Sequence, residues 1–120
     1  MSKIVPVKRQ INPVPSDTEI VSPEQGLATQ TPSVAGQAID AIAPNVSGGY
    51  ITNPSNANDQ GLPSAESLFI NPVTSALLQA NGTTIELKPG QTFIVIPNST
   101  TAISVASNSP NHMFTSVQWF

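Results

Sequence analysis

His112 is the single histidine of this 120-residue chain, and there is no cysteine beside it. General acid–base chemistry, or activation of a serine, would have to be built on that imidazole and one of seven carboxylates. Chain order does not exclude such a triad, because a triad is defined by geometry. Yet His112 opens the apolar stretch HMFTSVQWF, where a structural or surface histidine is the expected reading. Asp17, Asp40 and Asp59 are separated by turn-forming residues, and Glu66 and Glu86 are the only acids near the strand-rich part. Sugar hydrolysis would need two of these carboxylates facing each other beside aromatic rings, and aromatics make up only 5% of the chain.

Metal and phosphate chemistry find no better support. Without cysteine a metal would have to rely on oxygen ligands, and the nearest candidate, NANDQG at residues 56–61, lacks the spaced acids of a calcium loop. Gly48 and Gly49 precede Tyr50 with no helical pattern after them, so they do not form a phosphate-cradling loop. The chain therefore reads as a non-enzyme with no catalytic residue, cofactor, metal or small-molecule substrate. Sugar binding without hydrolysis is the remaining site-based chemistry. It would use rings drawn from Tyr50, Phe69, Phe93, Phe114, Trp119 and Phe120, although such rings more often plug a core or a subunit contact.

Composition narrows the partners. Charged residues make up 9%, against about 25% in ordinary globular proteins, so Ser, Thr, Asn and Gln must build the wet surface. The net charge of -3 argues against a nucleic-acid binder. Lys3, Lys8 and Arg9 give the first ten residues a small positive tip, suited to solvent or to an acidic surface. Lys3 is not followed by the apolar region of a secretory signal. The longest aliphatic–aromatic run, FIVI at residues 93–96, falls far short of the ~20 residues of a membrane helix. Assembly in a host cytoplasm, with no membrane partner, is the expectation.

Proline divides the chain into two stretches of different character. Nine of the 12 prolines lie between Pro6 and Pro72, and each removes a backbone donor and biases its predecessor toward extended geometry. Residues 1–66 therefore read as an extended N-terminal arm. One short helix is predicted over about residues 32–43, with Thr31 as cap, Pro32 in the first turn and Pro44 as terminator. The arm's aliphatic residues are spaced as isolated anchors: Ile4, Val5, Ile11, Val14, Ile20 and Val21, then Ile39, Ile42, Tyr50 and Ile51. Such a pattern fits a segment laid on another protein, each anchor contributing about 1.5–3 kcal/mol when fully buried.

Residues 67–120 read as a compact antiparallel β domain. SLFI, TTIEL, TFIVI, TAISVA and HMFTSVQWF alternate or run apolar between turn signals. Asn81-Gly82 suggests a hairpin with TSALLQA, and Lys88-Pro89-Gly90-Gln91 a type II turn. About six short strands imply an all-β sandwich or barrel. Phe93, Val95, Ile103, Val105, Phe114, Val117 and Trp119 are expected to form its core or an oligomer contact. No charged residue follows Lys88, and strand edges without charge invite pairing. A homo-oligomer, with a trimer favoured, would occupy them.

A Pro-rich arm ahead of TTIELKPGQTFIVIPNSTTAISVASNS and MFTSVQWF resembles small accessory virion proteins of tailed bacteriophages, of the capsid cement or decoration type. That resemblance covers mainly residues 67–120. It implies a structural protein on the capsid exterior, with the major capsid protein as partner and the arm running across capsid subunits. A tail, neck, fibre or adaptor component and a glycan-binding β module are the alternatives.

Overall fold

The computed structural model describes residues 27–120 as eight strands and one helical turn. The strands are β1 (Leu27–Gln30), β2 (Ile39–Ile42), β3 (Gly48–Thr52), β4 (Leu68–Asn71), β5 (Ile85–Leu87), β6 (Thr92–Ile94), β7 (Ile103–Ala106) and β8 (Met113–Trp119), with α1 (Ala57–Gln60) between β3 and β4. They form two four-stranded sheets, β1-β8-β3-β6 (sheet A) and β2-β7-β4-β5 (sheet B). Every pairing is antiparallel.

One regularity explains this order. β1 pairs with β8, β2 with β7, β3 with β6 and β4 with β5. The chain is thus one long double-stranded ribbon bent at β4–β5 and rolled up, and the pairings β3–β8 and β4–β7 stitch the roll into two sheets. This is the jelly-roll arrangement of an antiparallel sandwich. Its single core takes Ile51, Val95 and Phe114 from the sheet A side and Ile42, Leu68, Ile70, Leu87, Ile103 and Val105 from sheet B, with Val46 between them.

Local sequence accounts for most strands. β6 alternates, with Phe93 and Val95 turned inward and Thr92, Ile94 and Ile96 outward. In β5, Leu87 enters the core while Glu86 stays exposed. β4 and β7 are buried on both faces. Leu68, Ile70, Ile103 and Val105 face the core, and the chain between β4 and β5 covers the outer side. There Ala76 N–H donates to Ser104 Oγ (2.9 Å), and Asn71 Nδ2 donates to Thr84 Oγ1 (2.9 Å).

Three expectations from the sequence are corrected. Residues 32–43 form no helix. They make a turn, with Gly36 at φ 82°, and then strand β2, because Ile39 and Ile42 gain core burial by pairing with β7. TSALLQA is not a hairpin strand. The turn at Asn81-Gly82 forms, with Thr84 N–H donating to Asn81 O (3.0 Å), but β5 pairs with β4, which leaves that segment to cover sheet B. The β structure also does not start at residue 67: β1, β2 and β3 are integral to both sheets. The prolines of this stretch stand between strands, where their missing N–H groups cost no ladder bonds.

Gly49 marks the tightest seam. A Cβ placed there would run into the carbonyl oxygen of Val117, and that backbone is held by the β3–β8 ladder. Gly49→Ala is expected to destabilise the roll by about 1–3 kcal/mol, read as a lower urea midpoint with unchanged slope.

Candidate interaction surface

His112 lies at the entry to β8 and is fully buried. Its ring is held at both nitrogens, by Asn53 Oδ1 at Nε2 (2.9 Å) and by Ser107 Oγ at Nδ1 (2.7 Å). Asn53 Nδ2 donates to the carbonyls of Glu66 and Leu87, both at 2.9 Å, so Asn53 Oδ1 is an acceptor. Nε2 therefore carries a proton and donates to Asn53 Oδ1, and in the neutral ring the Ser107 hydroxyl donates to Nδ1. Ser109 N–H in turn donates to Ser107 Oγ (3.2 Å). Gln60, buried at the end of α1, donates to Asn53 Oδ1 (3.2 Å), Pro54 O (2.9 Å) and Glu66 O (3.1 Å). Its own Oε1 accepts from Glu66 N–H (2.8 Å).

This network is saturated and closed to solvent, so His112 presents no free nitrogen to a substrate. Burial lowers its pKa below the ordinary 6.5, and the Glu66 carboxylate opposes that shift. The imidazole stays neutral in the folded chain at pH values where the unfolded chain protonates it. Its contribution is complete above about pH 6.5 and is lost as pH falls from there toward the folded value. The urea midpoint should therefore drop on acidification through this range, and His112→Asn should remove that part of the pH dependence.

Among the described residues the carboxylates do not converge. Asp59 sits on α1, where its backbone N–H donates to the cap Asn56 Oδ1 (3.1 Å) and its Oδ2 accepts from Asn56 Nδ2 (2.8 Å). Glu66 Oε1 accepts from Ser109 Oγ (2.8 Å), and Glu86 Oε2 accepts from Ser67 Oγ (2.6 Å). Asp40 is exposed on β2. Among the described residues no cluster of three potential metal ligands occurs, and no helix is long and apolar enough to cross a membrane.

What remains is surface. The outer face of sheet A carries, in successive cross-strand rows, Thr115–Thr52–Thr92, then Val117–Tyr50–Ile94. Trp119 lies opposite Gly48 in the next row, and Ile96 follows just past the end of β6. The Trp119 indole rests directly on Gly48: a Cβ there would stand 2.7 Å from its Nε1. Thr52 and Thr92 share a hydroxyl–hydroxyl bond of 2.9 Å. Beside this face, a half-open groove of about 420 Å³ lies over Phe93 and Ile103, walled by Pro72, Val73 and Ile96.

The residues singled out in the sequence separate into three groups. Ile4, Val5, Lys8, Arg9, Ile11, Val14, Ile20 and Val21 lie outside the described residues. Of the proposed arm anchors in the described part, Ile42 and Ile51 are core residues, and Ile39 is half-buried against that core. Ile51 is turned inward by strand alternation, whereas Ile39 and Ile42, three residues apart, both reach the interior because the strand's register shifts between Asp40 and Ile42. Tyr50 is half-buried on the outer face of sheet A. Val95, Ile103, Val105, Phe114 and Val117 are buried and Phe93 is partly so, whereas Trp119 keeps 39% of its surface exposed. Asn53 and Gln60, the centre of the polar network, carry no sequence signal that separates them from the surrounding turn residues.

Comparison with known proteins finds no matching family model, no matching curated protein and no matching solved structure.

The single tryptophan makes the outer face observable. Gly48→Ala should displace the indole from its seat and shift tryptophan emission to the red, at a stability cost of about 1 kcal/mol.

Proposed function

We propose that the chain is a structural virion protein of the capsid cement or decoration type, which binds across major capsid subunits and stabilises a phage head. The observation that carries this reading is the strand order β1-β8-β3-β6 over β2-β7-β4-β5, a roll found among viral shell proteins as well as lectins and cupins. Fold alone does not set function, so the chemistry must agree with it. The outer face of sheet A offers exposed Ile94, Ile96 and Trp119 without a charged neighbour in its strands. The polar groups that could have formed a reactive centre around His112 are consumed internally.

Ahead of the roll stand 26 residues that combine Lys3, Lys8 and Arg9 with the aliphatic pairs Ile4-Val5 and Ile20-Val21. In this reading they are the strap laid on capsid subunits, and the roll projects from the exterior. Individually weak contacts gain strength when several copies in one oligomer engage a repetitive lattice. Placement on a tail, neck or fibre would use the same parts at lower copy number. A glycan-binding role is the second reading, and one observation favours it: the partly exposed Trp119 indole packs on Gly48 in the row next to Tyr50, on the face that also carries a row of threonines.

Because β1 starts at Leu27, the informative truncation removes residues 1–26 and leaves every strand. Full-length protein should co-sediment with expanded empty phage shells at high copy number and raise their melting temperature. The truncated form should keep its circular dichroism but lose shell binding by ~100-fold or more. Undiminished binding of the truncated form, or low copy number for the intact one, rules out the cement reading. Saturable binding of free oligosaccharide that quenches Trp119 would favour the glycan reading.

A further inference from the structure

The two sheets treat their edges differently. Sheet B ends in β2 and β5. β2 carries exposed Asp40 and an irregularity in register between Asp40 and Ile42, and β5 carries exposed Glu86. A charge or a bulge on an edge strand is how sheets avoid pairing with other chains. Sheet A has no charged residue in any of its four strands, and its edge strand β6 keeps regular register with β3.

The direction of the β6 backbone follows from two bonds. Asn53 N–H donates to Gln91 O and Val95 N–H donates to Gly49 O, both at 3.0 Å. Residues 91, 93 and 95 therefore direct their backbone groups at β3. By antiparallel alternation, the N–H and C=O of Thr92, Ile94 and Ile96 point away from the sheet. The side chains of Ile94 and Ile96 are 70% and 69% exposed, the most exposed of the large hydrophobics among the described residues.

We propose that β6 is a self-association edge, at which β6 of one copy pairs antiparallel with β6 of a second copy across a twofold axis. A register centred on Ile94 sets Ile94 against its own copy and Thr92 against the partner's Ile96. A twofold contact brings every group near the axis against its duplicate, so a charge on this strand would repel itself. β6 has none, and the nearest charge along the chain, Lys88, lies beyond the Pro89-Gly90 turn. The same neutrality gives a charged peptide nothing to pair with, which makes a second copy the matching occupant.

The contact is isologous, so it builds a dimer, not the trimer expected from the sequence. An edge running only over residues 92–96 buries less than the ~800 Å² per partner of a standard interface, so the pairing is concentration-dependent and strengthens on a lattice. It does not depend on the virion reading and is tested without capsids.

Sedimentation equilibrium of the full-length chain over a concentration series should show a reversible monomer–dimer equilibrium. Ile94→Lys puts two cations across the axis and should weaken it by ~10-fold or more, while Ile85→Lys on β5 should leave it unchanged. Ile94→Pro removes an N–H that β3 does not use, so it should abolish dimers while Trp119 emission stays native. A strict monomer, a trimer, or a dimer indifferent to Ile94→Lys overturns the proposal. If Ile94→Pro fails to fold, Ile94→Lys decides alone.

Discussion

Much of the roll is organised around the Asn53 side chain. It is fully buried where β3 leaves sheet A, and its amide binds the Glu66 carbonyl ahead of β4 and the Leu87 carbonyl at the end of β5. Its carbonyl oxygen receives His112 from the start of β8 and Gln60 from α1. Its backbone accepts from Gly90 N–H (2.8 Å) and donates to Gln91 O (3.0 Å), holding the turn between β5 and β6. One residue thus ties the two sheets together at one end. A buried amide left unpaired would cost about 1–3 kcal/mol for each orphaned group. Competing arrangements of these loops would orphan several at once, which ties the loops to one arrangement.

That lock matters because the chain has little else to hold it. There is no disulfide, and one modest cluster supplies the apolar interior. In a domain of this size hydrophobic burial leaves a narrow margin over chain entropy. The polar network at one end and the Gly49 seam against β8 add geometric selection to the non-directional drive of the core. His112 belongs to this structural machinery: its two ring bonds and the exchange of bonds between its backbone and Thr31 anchor β1 to the entry of β8.

The outside is organised by charge. Of the five charged residues in the roll, Asp40 and Glu86 stand on the edges of sheet B, Asp59 and Glu66 sit in the connection between β3 and β4, and Lys88 lies in the turn after β5. Sheet A is left neutral. Sheet B is covered on its outer side by the segment between β4 and β5, through Ala76 and Thr84. The outer face of sheet A keeps Ile94, Ile96 and Trp119 in solvent.

The sequence by itself determined the all-β class, the turns at Asn81-Gly82 and Pro89-Gly90, and inward-facing Val95, Ile103, Val105 and Phe114. These follow from period-two alternation and turn chemistry, which act over a few residues. It also exposed the charge-free run after Lys88, which supplies β6 and β8 of the neutral sheet. Only the tertiary structure decided that residues 39–52 are inner and edge strands of the roll. Ile42 and Ile51 look like isolated anchors until β7 and β8, more than fifty positions away, supply the partners that bury them. The same holds for Asn53, whose sequence context is a turn and whose place in the fold is the centre of a buried network. Long-range pairing chooses among locally equivalent extended segments, and nothing in a short window of sequence records that choice.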